Sequence, residues 1–303
     1  MSVTVQSILS YLSNEGLKYE YYGSNDIFLN SHCPLSDLRP NCVTWIKAIG
    51  TYDLSKIQYP KDLLIVVDAL PDNFNSSDFN LIVTGSPKYI YFEILSEFFP
   101  PKYELDLIAS TAIILTEQVG KNLSVGYNSY IGKDVVIGDN VRIGNNVSIS
   151  YKAVIGNDCI IDSGVVIGAF GYGYYTDMEN HPVKVPDYGG VIVGNRVEIG
   201  ANTCISRGTL ADTIISDDVK IDNLCHIAHN VQVGARSFII AQSMIGGSCV
   251  LGEDVYIAPG ANIMNQAIIG NNAFVGMGAV VTKNVPANKV VAGVPAKILR
   301  DNK

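Results

Sequence analysis

An aliphatic residue recurs at every sixth position across much of this 303-residue chain, and this period constrains the fold more than any other feature. The repeat covers nine positions from Val119 onward, three from Val193 and twelve from Ile215. A helix would instead repeat its apolar residues at spacings of three and four, and a single strand at two. A fixed period of six over such a length predicts a parallel β-helix of hexapeptide turns.

The residues around each aliphatic position predict the shape of the coil. Val, Ala, Cys, Ser or Thr stands two positions before nearly every one, and glycine often follows, as in Ile131-Gly132. We expect a three-sided prism with aliphatic side chains along its axis, small residues near its corners and glycine at its tight turns. Three hexapeptides make one coil, so the repeat predicts about eight coils. Cys159, Cys225 and Cys249 occupy the small position and are predicted to be buried, not metal ligands or disulfides.

The period also predicts the domain boundaries. Residues 1–107 lack it and read as short strands with two helices, which indicates a small α/β domain. Residues 108–290 form the β-helix, and residues 291–303 a C-terminal capping tail. The 48% hydrophobic content suits a prism that also buries an outer face, so we expect a homotrimer.

Charge and hydropathy limit the partners. The net charge of −8 argues against nucleic acid. No stretch approaches the roughly 18 apolar residues of a membrane span. The first residues lack the basic start and long apolar run of a signal peptide, so the expected compartment is the cytoplasm.

Two interruptions of the period draw attention. Residues 169–191 contain four tyrosines and His181. A loop of this length in a regular solenoid is usually functional, although it can simply contact a neighbouring subunit. The second interruption lies between Ile205 and Ile215, where ten residues replace six, and Arg207 and Asp212 flank the resulting bulge.

His229 stands two positions after an inward-facing isoleucine, so we expect it to point outward near a corner. The equivalent positions on neighbouring coils are Arg207, Gly247 and Asn265, which should share one edge at about 4.8 Å per coil. A histidine beside a glycine with a free N–H fits a general base next to an oxyanion donor. The alternative is a surface histidine that only bonds its neighbours.

These residues resemble a known family, the UDP-3-O-acylglucosamine N-acyltransferases of the lipid A pathway. The resemblance rests on residues 197–203, 220–223 and 227–231, on Arg207-Gly208 and Asp212-Thr213, and on the loop Gly171-Tyr172-Gly173. It implies a left-handed β-helix, an exception to the usual right-handed crossover. It also implies transfer of an acyl group from a thioester to the amine of a nucleotide-linked amino sugar. His229 matches the family's base, and Gly247 its backbone oxyanion donor.

The resemblance implies substrate contacts as well. Trp45 matches an aromatic platform for the nucleotide base, with Tyr52 as a second aromatic residue; a core tryptophan is the alternative reading. The family's Asn-Pro between them is replaced here by residues 47–50. Gln266 stands where the family has a second histidine that contacts the nucleotide sugar. Tyr172 and Arg207 complete the expected substrate contacts.

Other polar residues have open roles. Asp222 and Asn223 either orient His229 or close a turn. The chain end looks like CoA-dependent sugar acetyltransferases of the same fold, in which a lysine-bearing tail lines the CoA groove. Lys283, Lys289 and Lys297 would suit the phosphates of CoA or an acidic carrier protein, and the alternative is an ordinary capping segment.

The leading prediction is therefore an N-acyltransferase with no permanently bound cofactor or metal, using acyl-CoA or acyl carrier protein as its donor. It would act either in lipid A synthesis with a long acyl chain, or on a surface-polysaccharide amino sugar with a short acyl-CoA. A short-chain sugar O-acetyltransferase and a non-catalytic hexapeptide scaffold are the alternatives.

Overall fold

The computed structural model describes residues 2–48, 60, 62–70, 80–101 and 108–302. The chain divides into two compact units, Met1–Tyr103 and Glu104–Lys303. Tyr52 and the expected domain boundary at residue 107 lie outside the described residues. Within those ranges, we find no helix whose length and apolar character would allow it to cross a membrane.

The described residues of the first unit form a mixed five-stranded sheet with two helices. In sheet order its strands are Glu20–Tyr22, Asn80–Val83, Leu64–Val67, Cys42–Trp45 and Ser31–His32. The first pair is antiparallel and the other three are parallel. Val3–Thr4 and Phe28–Leu29 form a separate antiparallel pair.

Both helices bury an apolar stripe in one core with this sheet. The first, Val5–Asn14, begins where the Thr4 side chain accepts a hydrogen bond from Ser7 N at 3.1 Å. The second, Pro87–Phe98, has proline in its first turn, where no intrahelical N–H is lost. Apolar residues spaced three and four apart face the sheet: Val5, Ile8, Leu9 and Leu12 from the first helix, and Ile90, Tyr91 and Ile94 from the second.

The second unit is the predicted prism, with one parallel sheet on each face. The first face contains Ile113–Ile114, Tyr130–Ile131, Ser148–Ile149, Val166–Ala169, Cys204–Ser206, His226–Ile227, Met244–Ile245, Asn262–Ile263 and Val280–Val281. The second face contains Val135–Ile137, Ala153–Ile155, Val191–Val193, Thr213–Ile215, Gln232–Val233, Val250–Leu251 and Ile268–Ile269. The third face contains Ser124–Val125, Arg142–Ile143, Ile160–Ile161, Glu198–Ile199, Lys220–Ile221, Phe238–Ile239, Tyr256–Ile257, Phe274–Val275, Lys289–Ala292 and Lys297–Asp301.

The stack is longer than the eight coils that the repeat predicted. Ile114 pairs with Ile131 ahead of the repeat, and Val291 pairs with Val275 after it. The six-residue count missed these ends because the spacing there is irregular: Val119 is five positions after Ile114, and Val285 is four positions after Val281. The described end of the chain is the antiparallel hairpin Lys289–Ala292 and Lys297–Asp301 on the third face.

The role expected for the repeat glycines needs correction. The left-handed turn residue is the third after most of the aliphatic residues, as at Asn202 with φ 57°, and asparagine tolerates that conformation. With the exception of Gly132, a glycine directly after the aliphatic residue is required by space instead. A Cβ on Gly200 would lie 2.6 Å from the backbone nitrogen of Asn223 on the next coil, so only glycine allows this approach.

Candidate functional site

The strand register places the expected residues along one edge. Ile205, Ile227, Ile245 and Ile263 are successive partners on the first face. The residues two positions later therefore form a row at the corner after that face, which we call the His229 edge: Arg207, His229, Gly247, Asn265 and, after Val281, Lys283.

The His229 ring lies between two glycines. A Cβ on Gly247 would lie 2.8 Å from both Cε1 and Nε2 of the ring, so Gly247 faces the Nε2 side. A Cβ on Gly171, from the inserted loop, would lie 3.0 to 3.2 Å from Cβ, Cδ2 and Cγ of His229. Both glycines are buried and His229 is half-buried. Side chains at either position would crowd the imidazole, so the site depends on glycine at both.

One ring nitrogen of His229 has a fixed partner. Nδ1 lies 3.0 Å from the side-chain oxygen of Asn230, an acceptor, so Nδ1 carries the proton in the neutral ring. Nε2 then holds the lone pair, and it has no hydrogen-bond partner in the described part of the chain. The neighbouring His226 is different: burial and, secondarily, His229 lower its pKa, which favours its neutral form.

The N–H of Gly247 is not free, contrary to the expectation from sequence. It donates to Oδ1 of Asn265 at 3.2 Å. The same bond recurs on other coils, for example from Ala201 N to Asn223 Oδ1 at 2.6 Å, because the second residue after each aliphatic position faces its equivalent on the next coil. Gly247 can contact an oxyanion only by sharing this N–H or by displacing the Asn265 side chain.

The two interruptions of the repeat form one unit, which the sequence did not predict. Gly189 N donates to Gly208 O at 3.0 Å, and Gly208 N donates to Gly190 O at 3.1 Å. Gly190 N donates to Oδ1 of Asp212 at 2.6 Å. The inserted loop therefore docks on the ten-residue bulge. The outer part of the inserted loop is an antiparallel hairpin, Tyr174–Thr176 with Pro182–Lys184.

Arg207 lies inside this loop-and-bulge unit. It is 7% exposed, and its Nε donates to Gly189 O at 2.8 Å. Its guanidinium carbon lies 4.6 Å from the ring centre of Tyr151 and 5.8 Å from that of Phe170. These contacts hold the base of the loop, which favours a structural role for Arg207 over the substrate contact that the resemblance implied.

Asp222 and Asn223 lie at the corner after the third face, and their bonds do not reach His229. Asp222 accepts from Ala241 N at 3.2 Å, and Asn223 accepts from Ala201 N at 2.6 Å. Both line a cavity of about 270 Å³ on that face. The geometry agrees with turn closure, and Asn230 has the orienting position instead. Sequence reasoning missed Asn230, although it directly follows His229.

The other expected contacts of the sugar lie near the His229 edge. Gln266 is exposed and adopts φ 63°, and its N–H donates to Gly247 O at 2.8 Å. Tyr172 follows Gly171 in the loop and is 89% exposed, with its ring 5.1 Å from that of Tyr174. These two side chains are therefore available to a ligand beside His229.

Trp45 lines a cavity of about 900 Å³ within the first unit. Its ring is half-buried and stacks on Tyr91 at 6.1 Å between centres, with Phe92 at 6.5 Å. His32 and Lys47 also line the cavity. Trp45 thus contributes to the core and presents an aromatic surface to the cavity.

The three lysines expected at the donor site have different surroundings. Lys283 is exposed at the end of the His229 edge. Lys289 pairs with Asp301 across the terminal hairpin, so its charge is already balanced. Lys297 is exposed on the second strand of that hairpin. Only Lys283 shares the edge with His229 among these three.

Comparisons with known proteins agree with the fold of the second unit. The family model "Bacterial transferase hexapeptide (six repeats)" matches residues 118–151, 134–169 and 248–283. A solved UDP-N-acetylglucosamine acyltransferase from Bacteroides fragilis 9343 superposes with a TM-score of 0.58 at 25% identity, over 64% of this chain and 74% of that one. The predicted left-handed parallel β-helix is thereby confirmed.

Two relatives named UDP-3-O-acylglucosamine N-acyltransferase 2 match at higher identity. The Legionella pneumophila (strain Lens) protein is 46% identical over 138 residues, which are 46% of this chain and 40% of that protein. The probable mitochondrial protein of Arabidopsis thaliana is 40% identical over 134 residues, 44% of each chain. The matches thus span less than half the length of these relatives. Over the matched part, the chain is similar to the UDP-3-O-acylglucosamine N-acyltransferases, and its repeats match the bacterial transferase hexapeptide model.

Proposed function

We propose that this protein transfers an acyl group from a thioester to the amine of a nucleotide-linked amino sugar. The observation that carries the proposal is the His229 ring: its Nδ1 is occupied by Asn230, and its Nε2 carries the lone pair beside Gly247. A general base needs a lone pair within reach of the proton that it removes. The relatives' names supply the acceptor class, a UDP-linked acylglucosamine.

The reaction then follows from the site. The amine nitrogen attacks the thioester carbonyl while Nε2 takes the amine proton, and the carbonyl oxygen becomes an oxyanion. The C–S bond breaks as the oxyanion collapses, and the thiolate leaves with the proton from the imidazolium. The Asn230 oxygen stabilises that imidazolium through Nδ1–H. Gly247 N–H would bind the oxyanion by sharing or losing its 3.2 Å bond with Asn265.

The nucleotide base would bind in the cavity lined by Trp45. A planar base can stack on the exposed part of this ring, and such stacking contributes on the order of 1–3 kcal/mol per base. The sugar would lie at the His229 edge, where Tyr172 and Gln266 are exposed. A cavity that can stack a base and an edge that can receive a sugar, each considered within its own unit, favour a nucleotide-linked sugar over a free sugar and argue against a bare scaffold.

The donor would approach along the His229 edge from Lys283. Lys283 is three coils from His229, or about 14 Å at the usual strand spacing. CoA and acyl carrier protein both carry the thioester on an arm with a phosphate at its far end, so Lys283 suits either. Lys289 contributes less, because Asp301 neutralises it.

A mass-spectrometric transfer assay tests the function. Acetyl-CoA, 3-hydroxybutyryl-CoA and 3-hydroxymyristoyl carrier protein are each offered with UDP- and dTDP-linked amino sugars, using the wild type and His229→Ala. We expect an amide product from the wild type alone. Long-chain product on a UDP-acylglucosamine would assign lipid A synthesis, and short-chain product on a dideoxy amino sugar would assign polysaccharide tailoring. An unaltered rate in His229→Ala would refute the mechanism.

A further inference from the structure

The side chain of Asn230 is held in one orientation by the bulge. Its Oδ1 accepts from Thr209 N at 3.1 Å, and its Nδ2 donates to Ala211 O at 3.1 Å. A backbone N–H can only donate and a carbonyl can only accept, so the amide cannot flip without losing both bonds. The acceptor oxygen therefore stays against His229 Nδ1.

The bulge is in turn tied to the inserted loop through Thr209. The Thr209 hydroxyl donates to Oδ1 of Asp187 at 3.1 Å, and the other carboxylate oxygen of Asp187 accepts from Gly171 N at 2.8 Å. Asp187 is buried, so these bonds are shielded from water. The residue that fixes Asn230 thus also fixes the loop segment that packs on the His229 ring.

We propose that Asn230 is the positioning residue of His229, and that the loop-and-bulge unit holds it through Thr209 and Asp187 so that the neutral ring keeps its proton on Nδ1. The consequence for the reaction rests on the proposed function: Nε2 is kept unprotonated and aimed at the acceptor amine. Neither the resemblance nor the comparisons assign such a role to Asn230, Thr209 or Asp187.

The tautomer can be measured without any substrate. In ¹⁵N-labelled full-length protein, the imidazole nitrogens of His229 are assigned by comparison with His229→Gln, and their shifts show which nitrogen carries the proton. We expect protonated Nδ1 in the wild type and a mixture of tautomers in Asn230→Gly. Glycine suits this variant because Asn230 has φ 60°, and glycine removes the side chain without backbone strain. Protonated Nε2 in the wild type, or an unchanged tautomer in Asn230→Gly, would overturn the proposal.

Asn272→Gly is the matched control. Asn272 has the same repeat position and φ 54°, but its side chain bonds to Asn288 at 2.9 Å, away from His229. We expect this variant to keep the wild-type tautomer and rate, whereas Asn230→Gly loses about 10²-fold in kcat/KM, within the usual contribution of a general base. A loss of similar size in Asn272→Gly would show a general stability effect and refute positioning.

Two further variants test the effect of a negative charge at position 230 and the contribution of the bond between Thr209 and Asp187. In Asn230→Asp the carboxylate favours the imidazolium, so the acid limb of the kcat/KM profile should move to higher pH. Thr209→Val removes the bond to Asp187 but keeps the N–H donor to Asn230, so its tautomer should be partly mixed and Thr209→Ser should restore it. An unshifted pH profile in Asn230→Asp would contradict the proposal.

If His229→Gln and the wild type are equally active while the tautomer result holds, the proposed function fails and the positioning of the ring stands.

Discussion

Gly247→Ala tests whether Nε2 of His229 is the reacting atom. The added Cβ would lie 2.8 Å from Nε2 and Cε1, whereas such atoms normally approach to about 3.5 Å. The ring or the methyl group must therefore move by about 0.7 Å. The methyl group would also occupy the space through which an amine reaches Nε2, at roughly 2.6–3.2 Å from it.

The expected loss can be estimated from this displacement. A misplacement of about 1 Å at a reacting centre can cost about 10²-fold. With the blocked approach added, we expect kcat/KM to fall by about 10²–10³, or roughly 3–4 kcal/mol of transition-state stabilisation. The fold should survive because Gly247 does not have a positive φ, and overpacking typically costs about 1–3 kcal/mol.

Steady-state acyl transfer and thermal melting measure the two effects separately. Gly132→Ala is the control: Gly132 directly follows Ile131 of the first face, and its Cβ would come no closer than 3.5 Å to other atoms. We expect Gly132→Ala to keep the wild-type rate. Combining Gly247→Ala with His229→Gln should cost no more than His229→Gln alone, since both remove the same function. A wild-type rate in Gly247→Ala would refute the assignment of Nε2.

Three other outcomes are expected. His229→Gln should lower kcat by about 10²–10⁴ without changing the circular dichroism spectrum. Trp45→Ala should raise KM for the nucleotide sugar with little change in kcat, and Trp45→Phe should restore most of the affinity, as initial rates would show. Hydrogen bonding by Arg236 lowers the pKa of Asp254, so the melting temperature should fall as pH drops below about 4, and this fall should be smaller in Arg236→Gln.

The sign of that pH effect follows from the direction of the shift. The folded-state pKa of Asp254 is lower than the unfolded one, so its stabilising contribution is present above the unfolded pKa and disappears as pH falls through the folded pKa. A melting curve whose acid limb is unaffected by Arg236→Gln would show that this exposed pair contributes nothing measurable, as many surface pairs do.

The hexapeptide period predicted the register of the prism because every coil places its aliphatic side chains along the same axis. Ile227 and Ile245 must both fill the axis, so their relative position follows from counting, and the His229 edge follows with it. The docking of the inserted loop on the bulge could not be predicted by counting residues. Gly189 and Gly208 meet through backbone groups, which leave no residue pattern in the sequence.

The bond from Gly247 to Asn265 was missed for a related reason. The sequence showed that the two residues share an edge, but the use of the N–H depends on the rotamer of the asparagine. The N-terminal elements were closer to expectation, because their apolar spacing and the proline at position 87 mark helices locally. The strand Ser31–His32 was missed because two residues are too few to show a period.

The interruption of the repeat explains how the His229 ring is held in its orientation. At some uninterrupted corners, the asparagine in the left-handed turn bonds to its equivalent on the next coil, as Asn122 does with Asn140 at 2.9 Å. That bond is purely structural. At Asn230 the bulge supplies Thr209 N and Ala211 O instead. These two groups bond to the oxygen and the nitrogen of the side-chain amide, and the same oxygen accepts from Nδ1 of His229. In an unbroken repeat, an asparagine at this position can bond to the next coil. The bulge occupies the amide of Asn230 with other partners and so allows it to orient the imidazole of His229.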